Sequence, residues 1–192
     1  MSGSALHSPH QSHRITLVGM RACGKSTLGR LVASRLAWPF LDADHELEVR
    51  LGKPIPQVLK EHGELFFRDA EEAVLAELLA HTAPMVLATG GGAILRPDTR
   101  ERLRRRGGLV VYLEAPVPVI QERLRRHDGG RPSLLGAGHP ADEIPALHAL
   151  RDPLYREVAS AIVPSVPGAG GPALVADRIV ALLQPTGDKT FR

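Results

Sequence analysis

Apolar residues recur along the chain in two rhythms. Short, predominantly apolar runs occupy residues 15–18, 38–41, 85–89, 109–113 and 161–163. Runs of this length, punctuated by glycine, proline and polar clusters, read as strands buried on both faces. Between them, apolar residues fall three and four apart: Leu28, Leu31, Val32 and Leu36, then Phe67, Ala70, Val74 and Leu78, and finally Val175, Ile179, Leu182 and Leu183. That spacing puts one apolar stripe on a helix. Pro56 is predicted to open a short helix ending at Gly63, with a longer one from about Glu64 to Leu79. Further helices are expected over 98–106, over 118–126 and around Leu150-Arg151-Asp152-Pro153-Leu154-Tyr155. There is no internal repeat.

The first thirteen residues are rich in Ser and His and lack an apolar core, so they predict a disordered tail rather than a secretory signal. Residues 185–192 are expected to fray. The 192 residues suffice for one domain with a sizeable core. Hydrophobic content of 43% and charged content of 23% suit a soluble globular protein. A net charge of only +3 suits a phosphorylated ligand without arguing for nucleic acid, and 4% aromatic residues leave no stacking platform for single strands. Arg100, Arg102, Arg104, Arg105 and Arg106 are expected to form a solvated face. No apolar run is long enough to span a membrane. The single cysteine excludes an intramolecular disulfide and suits a reducing, cytoplasmic setting.

The candidate chemistry begins after the first run. Gly19-Met20-Arg21-Ala22-Cys23-Gly24-Lys25-Ser26-Thr27 follows a strand and opens a helix with the spacing G-x-x-x-x-G-K-S. That is the phosphate-binding P-loop: backbone N–H groups wrap the phosphates, Lys25 supplies a point charge, and the Ser26 hydroxyl is placed for Mg²⁺. Asp42 and Asp44 close the second run. On an extended segment they would face one way, at the carboxyl end of a strand where α/β ligands bind. They suggest Mg²⁺ handling and a base for a hydroxyl; alternatively, Asp44 caps the next helix. Arg68 and Glu71, three apart on a helix, taken alone would make an inconsequential surface pair. Gly90-Gly91-Gly92 directly after a strand allows positive φ and close approach to bare backbone. Residues 127–145 read as a glycine-hinged lid carrying Arg131.

Together these pieces resemble shikimate kinase over roughly residues 14 to 183. The blocks that carry the likeness are GMRACGKSTLGRLVASRL, FLDADHELE, GELFFRDAEEAVL, LATGGGA, RPSLL and LRDPLYREVA. The resemblance implies a P-loop kinase fold, α/β, with a five-stranded parallel sheet of order 2-3-1-4-5, a substrate-binding region at about 42–80 and a lid, in one domain from 14 to 184. It implies transfer of the γ-phosphoryl of ATP to the 3-hydroxyl of shikimate, in aromatic amino-acid biosynthesis, by a monomer. Ala22 through Thr27 would bind ATP. Ser26 would ligate Mg²⁺ with Asp42 nearby through water. Asp44 would hold the substrate hydroxyls and act as base. Arg68 and Arg151 would grip the carboxylate, with Glu71 orienting Arg68. Gly90, Gly91 and Gly92 would line the substrate, and Arg131 would neutralise developing charge. Relatives carry glycine where Ala22 stands, so Ala22 is expected at ordinary φ. Either Arg125 or Arg126 would face adenine. The alternatives are another small-metabolite kinase, such as a gluconate kinase, or a non-catalytic ligand-sensing module; the retained Lys25, Asp44 and Arg131 argue against the latter. Cys23, two residues before Lys25 at a helix N-terminus, is expected to be a reactive thiolate that MgATP would shield; the alternative is a small apolar side chain packed beneath the loop.

Overall fold

The computed structural model describes residues 13–126, 138–166 and 170–183. The tail expected before residue 13, Arg131 with most of the expected lid, and the expected frayed end all lie outside the described residues. Five parallel strands form one sheet among those residues: β1 (Arg14–Val18), β2 (Phe40–Asp42), β3 (Met85–Ala88), β4 (Leu109–Glu114) and β5 (Ala161–Pro164), in the order β2-β3-β1-β4-β5. The expected order is therefore the observed one. Strands β1 and β3 are buried along their whole length, and β4 at all but its two ends, because helices cover both faces of a parallel sheet.

The helices are α1 (Lys25–Leu36), α2 (Ala43–Leu51), α3 (Ile55–Ala80), α4 (Pro97–Arg106), α5 (Val117–Arg126), α6 (Ile144–Val158) and α7 (Gly171–Ala181). Their buried stripes follow the sequence rhythm: Leu28 and Val32 on α1, Phe67, Val74 and Leu78 on α3, Val175 and Ile179 on α7. The short and long helices expected on either side of Gly63 are both present. Gly63, at φ 81° and ψ 174°, breaks α3 into two arms at the predicted point.

Elsewhere the structure corrects the expectation. The helix after β2 begins at Ala43, not near His45, and its cap is Asp42. The Asp42 carboxylate accepts from the Asp44 N–H at 3.1 Å, so Asp44 lies in the first helical turn and not on an extended strand. The arginines of α4 are only partly a solvated face. Arg102 pairs with Glu72 of α3 at 2.6 Å, and Arg104 pairs with Glu157 of α6 at 2.5 Å. Arg100 donates to the carbonyls of Ile94 and Leu95 at 2.9 and 3.1 Å, fixing the turn behind the triple glycine. Arg105, at 76% side-chain exposure, and the exposed Arg106 match the expectation.

At the amino end of β1, the buried Arg14 gathers the carbonyls of Leu79, His81 and Arg106, which belong to or follow the ends of α3 and α4. At the β2 edge of the sheet, Gly29 of α1 packs against the ring of Phe40. A methyl added at Gly29 would sit within 2.9 Å of Phe40 Cδ2 and closer still to Cε2. Helix preference favours alanine over glycine by about 1 kcal/mol, but overpacking costs about 1–3 kcal/mol. Gly29→Ala is therefore expected to lower stability by about 1 kcal/mol, read as a fall in the urea midpoint at unchanged slope.

Cys23 is fully buried and points beneath the loop. Gly19 makes room for it: a methyl at Gly19 would lie 2.9 Å from its Sγ. The expected reachable thiolate is thus overturned; the side chain serves as a small apolar filler. A thiol-alkylating reagent is expected to leave Cys23 of the native protein unmodified, with and without MgATP alike. It should label Cys23 only in denaturant, as read by intact mass.

Candidate active site

The loop between β1 and α1 takes its shape from left-handed residues. Gly19 has φ 146°, Ala22 φ 60° and Gly24 φ 104°. Alternation of this kind turns successive N–H groups toward one centre. The expectation of ordinary φ at Ala22 fails because the backbone path, not the side chain, sets the conformation. The left-handed form costs a non-glycine residue about 1–2 kcal/mol. That strain is held by neighbours: Arg123 of α5 donates to the Ala22 carbonyl at 3.1 Å, and Ser165 after β5 donates to the Cys23 carbonyl at 2.7 Å. The Lys25 ammonium donates to the carbonyls of Gly19 and Met20 at 2.8 and 3.0 Å. The Cys23 N–H donates to the Met20 carbonyl at 3.2 Å. Thr27 is exposed on the first turn of α1.

Ser26 faces β2. Its hydroxyl donates to Asp42 Oδ2 at 2.6 Å. Asp42 thus caps α2 with one oxygen and meets Ser26 with the other. A hydroxyl and a carboxylate oxygen side by side are hard donors that suit Mg²⁺. No group of three or more His, Cys, Asp or Glu is placed to hold a metal ion among the described residues. Such a pair would hold the ion jointly with phosphate oxygens, as is usual for Mg²⁺.

The second face of the site is a cleft of about 490 Å³, including its open mouth, lined by Arg21, Asp44, Ile55, Leu59, Phe67, Arg68, Glu71, Gly91, Gly92 and Arg151. All the substrate residues expected from the sequence except Gly90 line it, and Gly90 lies directly against it. The Arg68–Glu71 pair is far from an inconsequential surface contact. It closes at 2.7 Å with side chains only 10% and 6% exposed. Glu64 supports Arg68 at 3.2 Å, and the Arg68 guanidinium lies 4.8 Å from the Phe67 ring centre. Burial pushes the Glu71 carboxyl above its usual range, an effect opposed by Arg68.

The triple glycine explains how so many charged groups fit. None of the three sits at positive φ. A methyl at Gly90 would overlap Glu71 Oε1 and lie 2.8 Å from Asp44 Oδ1; at Gly92 it would strike the Arg68 guanidinium. At Gly91 it would lie 3.1 Å from the backbone nitrogen of Arg21. The glycines are needed for close approach, not for backbone freedom.

Arg151, on α6, is 4% exposed. Its Nη1 donates to the Gly91 carbonyl at 3.3 Å, while its buried Nε has no hydrogen-bond partner among the described residues. An unpartnered buried guanidinium nitrogen at the wall of a cleft is suited to a bound anion. Four further residues shape the site without having been singled out by the sequence. Arg21 forms a buried ion pair with Glu143 and reaches the Pro140 carbonyl at 3.0 Å. Arg123 and Ser165 hold the loop, and Tyr155 backs Gly91. Arg21 and Tyr155 stand inside quoted blocks; nothing marks Arg123 or Ser165. Arg125 and Arg126, between which the sequence leaves the adenine contact open, make exposed pairs with Asp142 and Glu122 at 3.3 and 2.6 Å.

Comparison with known proteins agrees with this geometry. A family model described as shikimate kinase matches residues 21–183. A shikimate kinase of Cupriavidus pinatubonensis is 46% identical over 170 residues, 88% of this chain and 85% of the relative. One of Paracidovorax citrulli is 48% identical over 162 residues, 84% and 87%. The solved shikimate kinase from Acinetobacter baumannii in complex with shikimate superposes with a TM-score of 0.81 at 42% identity, covering 88% of this chain and 92% of that one. A gluconokinase from Sinorhizobium meliloti reaches only 0.56 at 22% identity, which is likeness of fold alone. With the family matched over most of the chain and the loop, aspartates and arginines of its motifs meeting in one place, the chain belongs to the shikimate kinase family.

Proposed function

We propose that this protein transfers the γ-phosphoryl of ATP to the 3-hydroxyl of shikimate, giving shikimate 3-phosphate and ADP. The observation that carries the proposal is the cleft. Among its lining groups are the arginines Arg68 and Arg151 and the carboxylate Asp44, directly beside the phosphate-binding loop. A small ring acid with several hydroxyls matches that set. Its carboxylate suits the arginine forks, which bond carboxylates bidentately, and its hydroxyls suit Asp44. The unpartnered Nε of Arg151 and the rigid Arg68–Glu71 pair support placing the carboxylate there.

In the reaction, the hydroxyl oxygen bonds to the γ-phosphorus as the bridge to the β-phosphate breaks. The hydroxyl proton passes to Asp44, and ADP leaves. Lys25, freed from the Gly19 and Met20 carbonyls, offsets charge on the β- and γ-phosphates. The loop N–H groups and the N-terminus of α1 orient the chain of phosphates. Ser26 and Asp42 would hold Mg²⁺, whose charge neutralises phosphate oxygens. Asp44, on the first turn of α2 and so fixed to the same cap as Asp42, stays in register with that ion site.

No helix among the described residues is long and apolar enough to cross a membrane. Dependence on ATP favours a cytoplasmic enzyme, and a monomer is proposed, to be checked by gel filtration. The deciding assay follows ADP release with ATP and Mg²⁺ alone, with shikimate, and with gluconate. Turnover is expected with shikimate only; equal turnover with gluconate would defeat the proposal. Asp44→Asn should lower kcat by about 10²–10⁴-fold while ATP affinity stays within about twofold, as befits loss of a positioned base. A matching loss of nucleotide affinity would move Asp44 to the metal site. Arg68→Lys and Arg151→Lys should each raise the KM for shikimate despite the retained charge, because lysine lacks the planar fork. Parent-like KM values in both would place the carboxylate elsewhere.

A further inference from the structure

Arg151 and Tyr155 stand four residues apart on α6 and so share one face of the helix. Both side chains end on a single atom, the carbonyl oxygen of Gly91. Tyr155 donates its hydroxyl to it at 2.5 Å, and Arg151 Nη1 donates at 3.3 Å. The phenol bond is short for its type, while the guanidinium bond is at the long limit of useful hydrogen bonding. The stronger donor is thus not the residue that faces the cleft.

Tyr155 is held where it stands. It is fully buried, and its ring stacks on Tyr112 with centroids 5.0 Å apart and planes at 23°. The Tyr112 hydroxyl donates to Asp152 at 2.9 Å, and Asp152 is paired with Arg156 at 2.7 Å. The side chains of the segment 151–156 therefore lock one another. Burial drives the Tyr155 phenol well above its usual range, which keeps it protonated and a donor at any working pH.

We infer that Tyr155 is a positioning residue for substrate binding: by occupying the Gly91 carbonyl, it lets Arg151 turn its Nη1 to the substrate carboxylate without stranding a buried acceptor. Tyr155 acts in this way only if Arg151 grips the carboxylate, as proposed above. The physical reason is the asymmetry of hydrogen bonding. A buried carbonyl that loses its only donor carries its full desolvation penalty, whereas one that keeps a 2.5 Å bond loses little when a 3.3 Å bond leaves. Without the hydroxyl, Arg151 would be the only one of these two donors left to Gly91, and each substrate molecule would have to pull it away. The peptide held by Tyr155 joins Gly91 to Gly92, and both line the cleft, so the same bond keeps the floor in place.

Tyr155→Phe removes one oxygen and leaves the stack. The expected result is a KM for shikimate raised roughly fivefold, the scale of one neutral hydrogen bond, with the KM for ATP and kcat each within about twofold of the parent. The change should vanish in an Arg151→Ala background, where no guanidinium remains to be released. A purely structural tyrosine would instead give the same fold-change in both backgrounds, and that result overturns the inference. If Arg151→Ala raises the KM while Tyr155→Phe alone does not, the inference falls and the carboxylate reading stands. If Arg151→Ala leaves the KM unchanged, the carboxylate reading falls and takes the inference with it. Tyr112→Phe serves as control; it should lower the melting temperature without moving the KM for shikimate. Should Tyr155→Phe fail to fold, carbonyl ¹³C resonances of glycine-labelled parent protein give the same answer. The Gly91 signal should move upfield when shikimate is added, as one of two donors leaves, and stay fixed with a shikimate carboxamide. An unmoved signal with shikimate overturns the inference.

Discussion

A loop that offers N–H groups to an anion must send its carbonyls somewhere else, because a carbonyl turned inward would repel the phosphate and one left buried without a donor would be costly. The whole site is arranged around that requirement. Arg123 takes the Ala22 carbonyl, Ser165 takes that of Cys23, and the Lys25 ammonium covers those of Gly19 and Met20. The triple-glycine segment obeys the same rule, with Tyr155 and Arg151 on the Gly91 oxygen. The donors come from α5, α6 and the end of β5. The remote half of the sheet is thereby drawn into the geometry of the phosphate loop. The left-handed strain at Ala22 persists because these anchors over-determine the path of the chain.

The substrate face answers a second constraint, that of keeping several charges out of water within a few ångströms. Arg68, Glu71, Asp44 and Arg151 are mutually compensating, two of each sign, around backbone that carries no side chain of its own. Removing one partner of a buried pair leaves an uncompensated charge and typically costs about 3–5 kcal/mol. The cluster therefore holds its form before any ligand arrives. Binding can then exploit donors already in position, which limits the ordering cost of association.

Much of this was legible in the chain. The apolar runs gave all five strands, Gly63 broke α3 where expected, and the G-x-x-x-x-G-K-S spacing located the loop. What could not be read is instructive. Asp42 and Asp44 looked like neighbours on one strand, but a side chain that caps a helix ends the strand at itself and turns the next acid through the first helical turn. Ala22 reads as ordinary φ from its residue type, and Cys23 as a thiolate from its charged neighbours, whereas the loop dictates φ at the first and an inward direction at the second. The triple glycine predicts both positive φ and close approach; only the second is used, and the groups that crowd it, Glu71, Asp44 and Arg68 converging from two helices, have no local sequence signal. Arg100 and Arg102 resemble solvent charge because their acceptors lie on other elements, Glu157 on α6 for the first and Glu72, 30 residues away on α3, for the second. Local pattern encodes elements; long-range partners of long side chains leave no local trace.

The bare backbone floor from Gly90 to Gly92 has a consequence for inhibition. Resistance to a competitive inhibitor commonly arises when a wall residue is enlarged and the ligand is pushed out. Here the floor has no side chain to enlarge, and the first added carbon at Gly90 or Gly92 meets Glu71 or Arg68 before it meets any ligand. An inhibitor that draws its affinity from this floor would leave the enzyme few routes of escape that do not also dismantle its own grip on substrate.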